Sequence, residues 1–263
     1  MMKEPEKTLK FRSQGPQLVR NRLKGKIFLV PTFVTVIGIF CGFMSILYCF
    51  QGQLELACKF IGFAFVLDGL DGRIARRLNA TSAFGREFDS LSDLVAFGVA
   101  PAVLIYTWAF KGPADEFGML VAFTLVVCGA TRLARFNIDT EHRPHFLGLP
   151  IPGAAAALAS LVFFYPEPIQ TQTVASFIML LTATLAGLMV STVPFPSLKH
   201  LRVNDVPPRI LLLIVSIAVA MAWYHNRLAM LIASSIYAFS GPVLMLVKRT
   251  APTAIEKVKT VIR

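Results

Sequence analysis

A chain of 263 residues that is 55% hydrophobic and only 16% charged, with positive mean hydropathy, belongs with multi-span membrane proteins and not with soluble domains. Its formal net charge of +11 suits an anionic surface; with no base-reading module in the sequence, that surface is membrane and no nucleic-acid partner is expected. Cys41, Cys49, Cys58 and Cys128 all fall in apolar runs without CxxC spacing, so buried thiols are expected and no disulfide framework follows.

Residues 1–26 form a polar, basic leader. Leu18, Val19, Leu23 and Ile27 recur there at near-helical spacing among Arg and Lys, a pattern that fits either a helix lying on the membrane surface or a solvated tail. The apolar run that follows is too long for a signal peptide and lacks a small-residue cleavage site, so it reads as a retained first span. Eight apolar runs can be placed, near 27–50, 54–77, 88–110, 117–137, 151–165, 173–194, 209–224 and 227–247, each about long enough to cross a ~30 Å hydrocarbon core. Helices are the expected element, because a backbone exposed to lipid must satisfy its own hydrogen bonds and no alternating barrel pattern is present. The expected fold is an all-α integral membrane protein, a helical bundle of about eight transmembrane helices in one domain over 27–250, followed by a tail over 251–263.

Lys and Arg set the orientation. They crowd the leader, Arg73 to Arg86, Arg132 to Arg143, Lys199 to Arg209 and the tail, whereas the alternate connections hold only Lys59, Lys111 and Arg227. By the positive-inside rule both termini face the cytoplasm in a multi-pass cytoplasmic-membrane protein.

Four carboxylates occupy the second and third runs on that same side. Asp68 and Asp71 are three residues apart and Asp89 and Asp93 four apart, so each pair shares a helix face and all four can converge. An unpaired Asp at a helix centre costs about 2.5–3.5 kcal/mol even on the lenient insertion scale, so four together demand a compensating charge. A lone intramembrane Asp would read as a proton relay or a packing partner. Four at this spacing, interleaved with Gly69, Gly72 and Gly85, point to a hard divalent cation, Mg²⁺ or Mn²⁺, beside a phosphate-bearing ligand that approaches the backbone closely. In such a site metals can bridge a diphosphate and steady the attacking and leaving oxygens, while Asp93 accepts the proton of an acceptor hydroxyl. No Ser, Cys or His stands in the cluster as a nucleophile with its base, which favours direct transfer over a covalent enzyme intermediate.

The pattern D-x2-D-G-x2-A-R-x8-G-x3-D-x3-D from Asp68 to Asp93 resembles the signature of the CDP-alcohol phosphotransferases at every defined position. The resemblance implies transfer of a phosphatidyl group from a CDP-linked lipid to an alcohol with release of CMP, at a two-metal centre in a homodimer. It implies metal ligation by Asp68, Asp71 and Asp89, with Asp93 as ligand, catalytic base or both. Gly72, Ala75 and Gly85 would let the nucleotide approach, and Arg76 would meet phosphate. The first span departs from the family's usual Pro-Asn pair and later Asn and reads Pro31-Thr32-Phe33-Val34-Thr35, so a nucleotide contact there is either altered or supplied by Thr32 and Thr35, with Thr35 the expected CDP-lipid contact.

Three further stretches, Asp89 to Pro101, Thr131 to Asn137 and Phe146 to Pro152, resemble the bacterial and archaeal phosphatidylserine synthases of this superfamily. They imply CDP-diacylglycerol as donor and L-serine as acceptor. Arg132, Arg135 and Asn137 are the expected serine-binding residues, since Arg makes the bidentate pair that best holds a carboxylate. Positive-inside anchoring explains either arginine singly as well. No His-x-Lys motif of the unrelated phospholipase D-like synthases occurs at His142, His145, His200 or His225. The competing readings are the same chemistry on glycerol 3-phosphate or inositol phosphate, and a cation or proton transporter built on the same aspartates.

Overall fold

The structure, a computed structural model, describes residues 29–77, 83–138, 146–195 and 226–250. The basic leader, the run near 209–224 and the tail lie outside the described residues, as do the side chains of residues 71–83.

Helix α1 spans Leu29–Phe50 and α2 spans Leu54–Arg77, joined by a tight turn at Gly52, whose φ of 73° is the left-handed region that glycine enters freely. Helix α3 covers Ala83–Asp93 and runs without a break through a π-helical segment, Leu94–Val99, into α4, Ala100–Ile105, and a second π segment, Tyr106–Phe110. Helix α5 is Asp115–Ile138, α6 is Ile151–Phe164, α7 is Gln172–Val190 and α8 is Asn226–Thr250. The first π segment has a local cause. Pro101 has no N–H for the carbonyl one turn back and its ring would collide with that carbonyl, so the ladder slips by a residue and the Ala100 N–H bonds Val95 O.

The chain is thus an all-α membrane bundle. Among the described residues, four helical stretches are long and apolar enough to cross a bilayer, namely Thr32–Phe50, Phe84–Phe110, Asp115–Ile138 and Gln172–Val190. Helix α2 has the length, but its second half carries Asp68, Asp71, Arg73, Arg76 and Arg77; α6 and the apolar part of α8, Arg227–Val243, are shorter. The sixth run was expected to stay helical to residue 194, and it does not. Helix α7 stops at Val190, Ser191 turns extended, and Pro194–Phe195 (β2) pairs antiparallel with Phe146–Leu147 (β1). Pro194 cannot continue a helix, and Gly148, at φ 77°, turns its N–H to Val193 O at 2.9 Å, closing the pair.

Small residues set the helix spacing. A Cβ on Gly42 would fall 2.8 Å from Ala96 Cα and one on Gly38 3.0 Å from Ser92 Oγ, so α1 lies directly on the backbone of α3 and its π segment. On the other side Ile151 wedges between Gly98 and Gly129, drawing the start of α6 against α5. Cys41, Cys49 and Cys58 are buried and Cys128 half-buried, all as free thiols. The large apolar side chains left outside, Phe33, Phe40, Phe43, Phe123, Phe177 and Leu180 among them, give the bundle a lipid-compatible exterior.

Candidate active site

Helix α2 delivers Asp68 in its second half, and α3 delivers Asp89 and Asp93 from one face, four residues apart. One carboxylate oxygen from each of the three can be chosen so that all lie within 4.8 Å of one another. All three residues are half-buried. The Asp71 backbone is helical within α2, but its side chain is outside the described residues, as are those of Ala75 and Arg76; Gly72 lies in the same stretch of α2. Gly85 sits in the first turn of α3 and takes part in an interaction there.

The carboxylates line a shallow cleft whose remaining walls are apolar: Val34 and Gly38 from α1, Ala64 and Leu67 from α2, and Ala96 and Phe97 from the π segment. Ser92, also in this lining, is buried and donates through Oγ to Thr35 O at 3.1 Å. Thr35 is itself buried on α1 and meets Ser92 through its backbone carbonyl. Ser92 escaped the sequence reading, although it immediately precedes Asp93 and lies one turn from Asp89 and Ala96 on the same helix.

The donor set fits a divalent metal. Three hard oxygen donors converge, and at an effective dielectric of ~20 two like charges 4.8 Å apart repel by about 3 kcal/mol, so without a cation or protons the cluster works against the fold.

The residues expected to hold an acceptor separate into two kinds. Arg132, on α5, buries its Nε with no hydrogen-bond partner, and its guanidinium lies within electrostatic reach of Asp93 and of Tyr237 on α8. Arg135 is exposed and donates from Nη1 to Val190 O at 3.4 Å, meeting one of the carbonyls that the end of α7 leaves unpaired. Asn137 donates from Nδ2 to Glu87 Oε2 and to Ser90 Oγ, both at 3.1 Å, and so braces α5 against α3. Glu87, Ser90 and Tyr237 were not found from the sequence. The first two lie inside the motif at its undefined positions, and Tyr237 lies in the last third, where no motif was visible.

A family model of the CDP-alcohol phosphatidyltransferases matches residues 28–192, a stretch that holds α1 to α7 and every residue of the cleft. The chain is 41% identical over 185 residues to a CDP-diacylglycerol–serine O-phosphatidyltransferase of Helicobacter pylori, covering 68% of this chain and 76% of that one. It is 39% identical over 170 residues to the enzyme of the same name from Bacillus subtilis, covering 65% of this chain and 91% of that one. An archaetidylserine synthase of Methanothermobacter thermautotrophicus is 37% identical over 169 residues, 64% of this chain and 69% of its own. With three of the motif's aspartates, Asp68, Asp89 and Asp93, gathered at one cleft and the matched region spanning seven helices, the chain belongs to the CDP-alcohol phosphatidyltransferase family.

Proposed function

We propose that this protein transfers a phosphatidyl group from CDP-diacylglycerol to L-serine, giving phosphatidylserine and CMP. The observation that carries the reading is the convergence of Asp68, Asp89 and Asp93 at one end of an apolar-walled cleft, in a chain similar to serine O-phosphatidyltransferases. Charged groups of the donor meet the carboxylate end, and its acyl chains leave along the apolar wall toward lipid.

Asp68, Asp71, Asp89 and Asp93 would hold Mg²⁺ or Mn²⁺, two ions per site, and the bound cations supply charge neutralisation of the diphosphate and of the leaving CMP oxygen. The protein's own residues do the rest. Arg76 meets phosphate, and Gly72, Ala75, Gly85 and Thr35 form the surface on which the nucleotide lies. Asp93 takes the proton from the serine hydroxyl as its oxygen attacks the phosphorus next to the diacylglycerol, and a positioned base of this kind contributes roughly 10² to 10⁴ in rate. Arg132 pairs with the serine carboxylate. Arg135 and Asn137, already engaged with Val190 and Glu87, form the walls of the same pocket.

Eight spans, cytoplasmic termini, a cytoplasmic mouth for CDP and serine, and a homodimer complete the reading. One contact supports the alternation of charge: Glu55 Oε1 pairs with Lys59 Nζ and Glu55 Oε2 with Arg227 Nη2, each at 2.8 Å, so two of the few basic residues assigned to the outer face share one end of the bundle. Arg132 and Arg135 lie at the other end, beside the motif.

The test is CMP release by purified protein in detergent with CDP-diacylglycerol and Mg²⁺ or Mn²⁺, comparing L-serine, glycerol 3-phosphate, inositol phosphate and no acceptor. Release that needs both serine and metal is expected. Release with another alcohol alone would overturn the acceptor assignment, and metal uptake into sealed vesicles with no release under any condition would replace the enzyme by a transporter.

A further inference from the structure

Helix α8 lies outside the region matched by the family, yet its Tyr237 lies within electrostatic reach of Arg132 on α5. Its buried face carries Ser234, Tyr237, Ala238 and Gly241, the spacing of a single helical stripe. Ser234 Oγ and Ser160 Oγ of α6 are 2.6 Å apart, which fixes α8 one turn before Tyr237. One turn after it, Gly241 packs so closely on Phe195 of β2 that a Cβ there would lie 2.6 Å from the ring. Between these two anchors the Tyr237 ring rests on the Gly153 backbone, where a Cβ would meet Cε1 at 2.7 Å. Gly153 is two residues beyond Ile151, the wedge seated on Gly129, and Arg132 follows Gly129 by one turn of α5.

The half-buried phenol is thus held between two anchors and lies within electrostatic reach of Arg132. A guanidinium whose Nε is buried and unpartnered has a donor waiting for an acceptor, and a phenol hydroxyl is a second donor. A carboxylate, with two oxygens and several lone pairs, takes both at once. We propose that Tyr237 and Arg132 together receive the carboxylate of the acceptor amino acid, so that the carboxy-terminal helix supplies a specificity-determining residue to the site. This rests on the reading of serine as acceptor. The competing role for Tyr237 is packing α8 onto α6 and nothing more.

Tyr237→Phe separates the two, because it keeps the ring on Gly153 and removes only the hydroxyl. The assay is CMP release with saturating CDP-diacylglycerol and Mg²⁺, using L-serine and serinol, which keeps the amine and a reacting hydroxyl but replaces the carboxylate by hydroxymethyl. The KM for L-serine is expected to rise about tenfold, as for one lost hydrogen bond to a charged group, with kcat/KM for serinol and KM for CDP-diacylglycerol within about twofold of wild type. Ser234→Ala loosens the same packing at a distance from the pocket and is expected to leave the serine-to-serinol ratio unchanged. Equal losses on both acceptors in Tyr237→Phe, no loss on either, or a matching change of the ratio in Ser234→Ala would each overturn the proposal. A wild-type enzyme that ignores L-serine would instead sink the acceptor reading on which it rests.

Discussion

Asp68, Asp89 and Asp93 hold their oxygens closer than like charges tolerate in an apolar cleft, so the cluster should depend on a cation for stability as well as for chemistry. The protein in detergent is expected to melt higher in Mg²⁺ than in EDTA, by about 2.7 kcal/mol of stabilisation when the ion is at a hundredfold excess over its Kd. Asp68→Asn should shrink that shift, and a melting curve indifferent to both ion and chelator would remove the metal assignment. Asp93→Asn is a different case. It is expected to bind CDP-lipid while turnover falls by about 10² to 10⁴, and a variant with near-normal turnover would strip Asp93 of its role as base. These residues were legible because their information is local: i,i+3 and i,i+4 spacing within one helix fixes a shared face before any tertiary contact exists. Asn137 shows the limit of such reading. Its place beside Arg132 was visible in the chain, whereas its hydrogen bonds to Glu87 and Ser90 join residues 50 and 47 positions apart and leave no trace in local spacing.

At the scale of elements, α1 is a surface for others to lie on. Gly38 and Gly42 form a small-residue stripe against Ser92 and Ala96, and this contact sets how near α3 brings its aspartates to α2. Gly42→Ala places a methyl group against backbone that cannot swing away, and a loss of about 1–3 kcal/mol is expected in thermal melts, together with weaker CDP-lipid binding. Gly62→Ala, with nothing within 4 Å of the new Cβ, is the control and should be neutral or slightly stabilising through helix propensity. Two variants with the same melting temperature would show that the close approach does not control the packing. The helices themselves were largely evident from runs of apolar residues. The first π segment and the β1–β2 pair were not, because each involves a proline that cannot continue the helical ladder and neighbours that then capture a backbone carbonyl or N–H.

Over the whole molecule, alternation of charge carries the orientation, and it can be read from the two sides. In a background where Cys128 is Ala and the other cysteines stay buried, Lys111→Cys should react with a membrane-impermeant maleimide on intact cells, and Ile138→Cys only after permeabilisation. The reverse pattern would invert the topology and put the site on the outer face. The fold class was legible throughout, since hydropathy is summed over long windows and survives any single misjudged residue. The part played by α8 was not. Its proposed contribution is one tyrosine whose meaning depends on an arginine 105 positions earlier in the sequence.

That separation also has a meaning in time. Glu55 precedes its partner Arg227 by 172 residues, and at a synthesis rate of ~5–20 residues per second the wait for that partner is on the order of ten to thirty seconds. Thr35, Asp68, Asp89 and Asp93 have all been made long before then, and the glycine-lined contact of α1 with α3 needs nothing later in the chain. On the ribosome, therefore, the aspartate cluster can assemble first, and Tyr237, the residue proposed to complete the choice of acceptor, arrives later with α8.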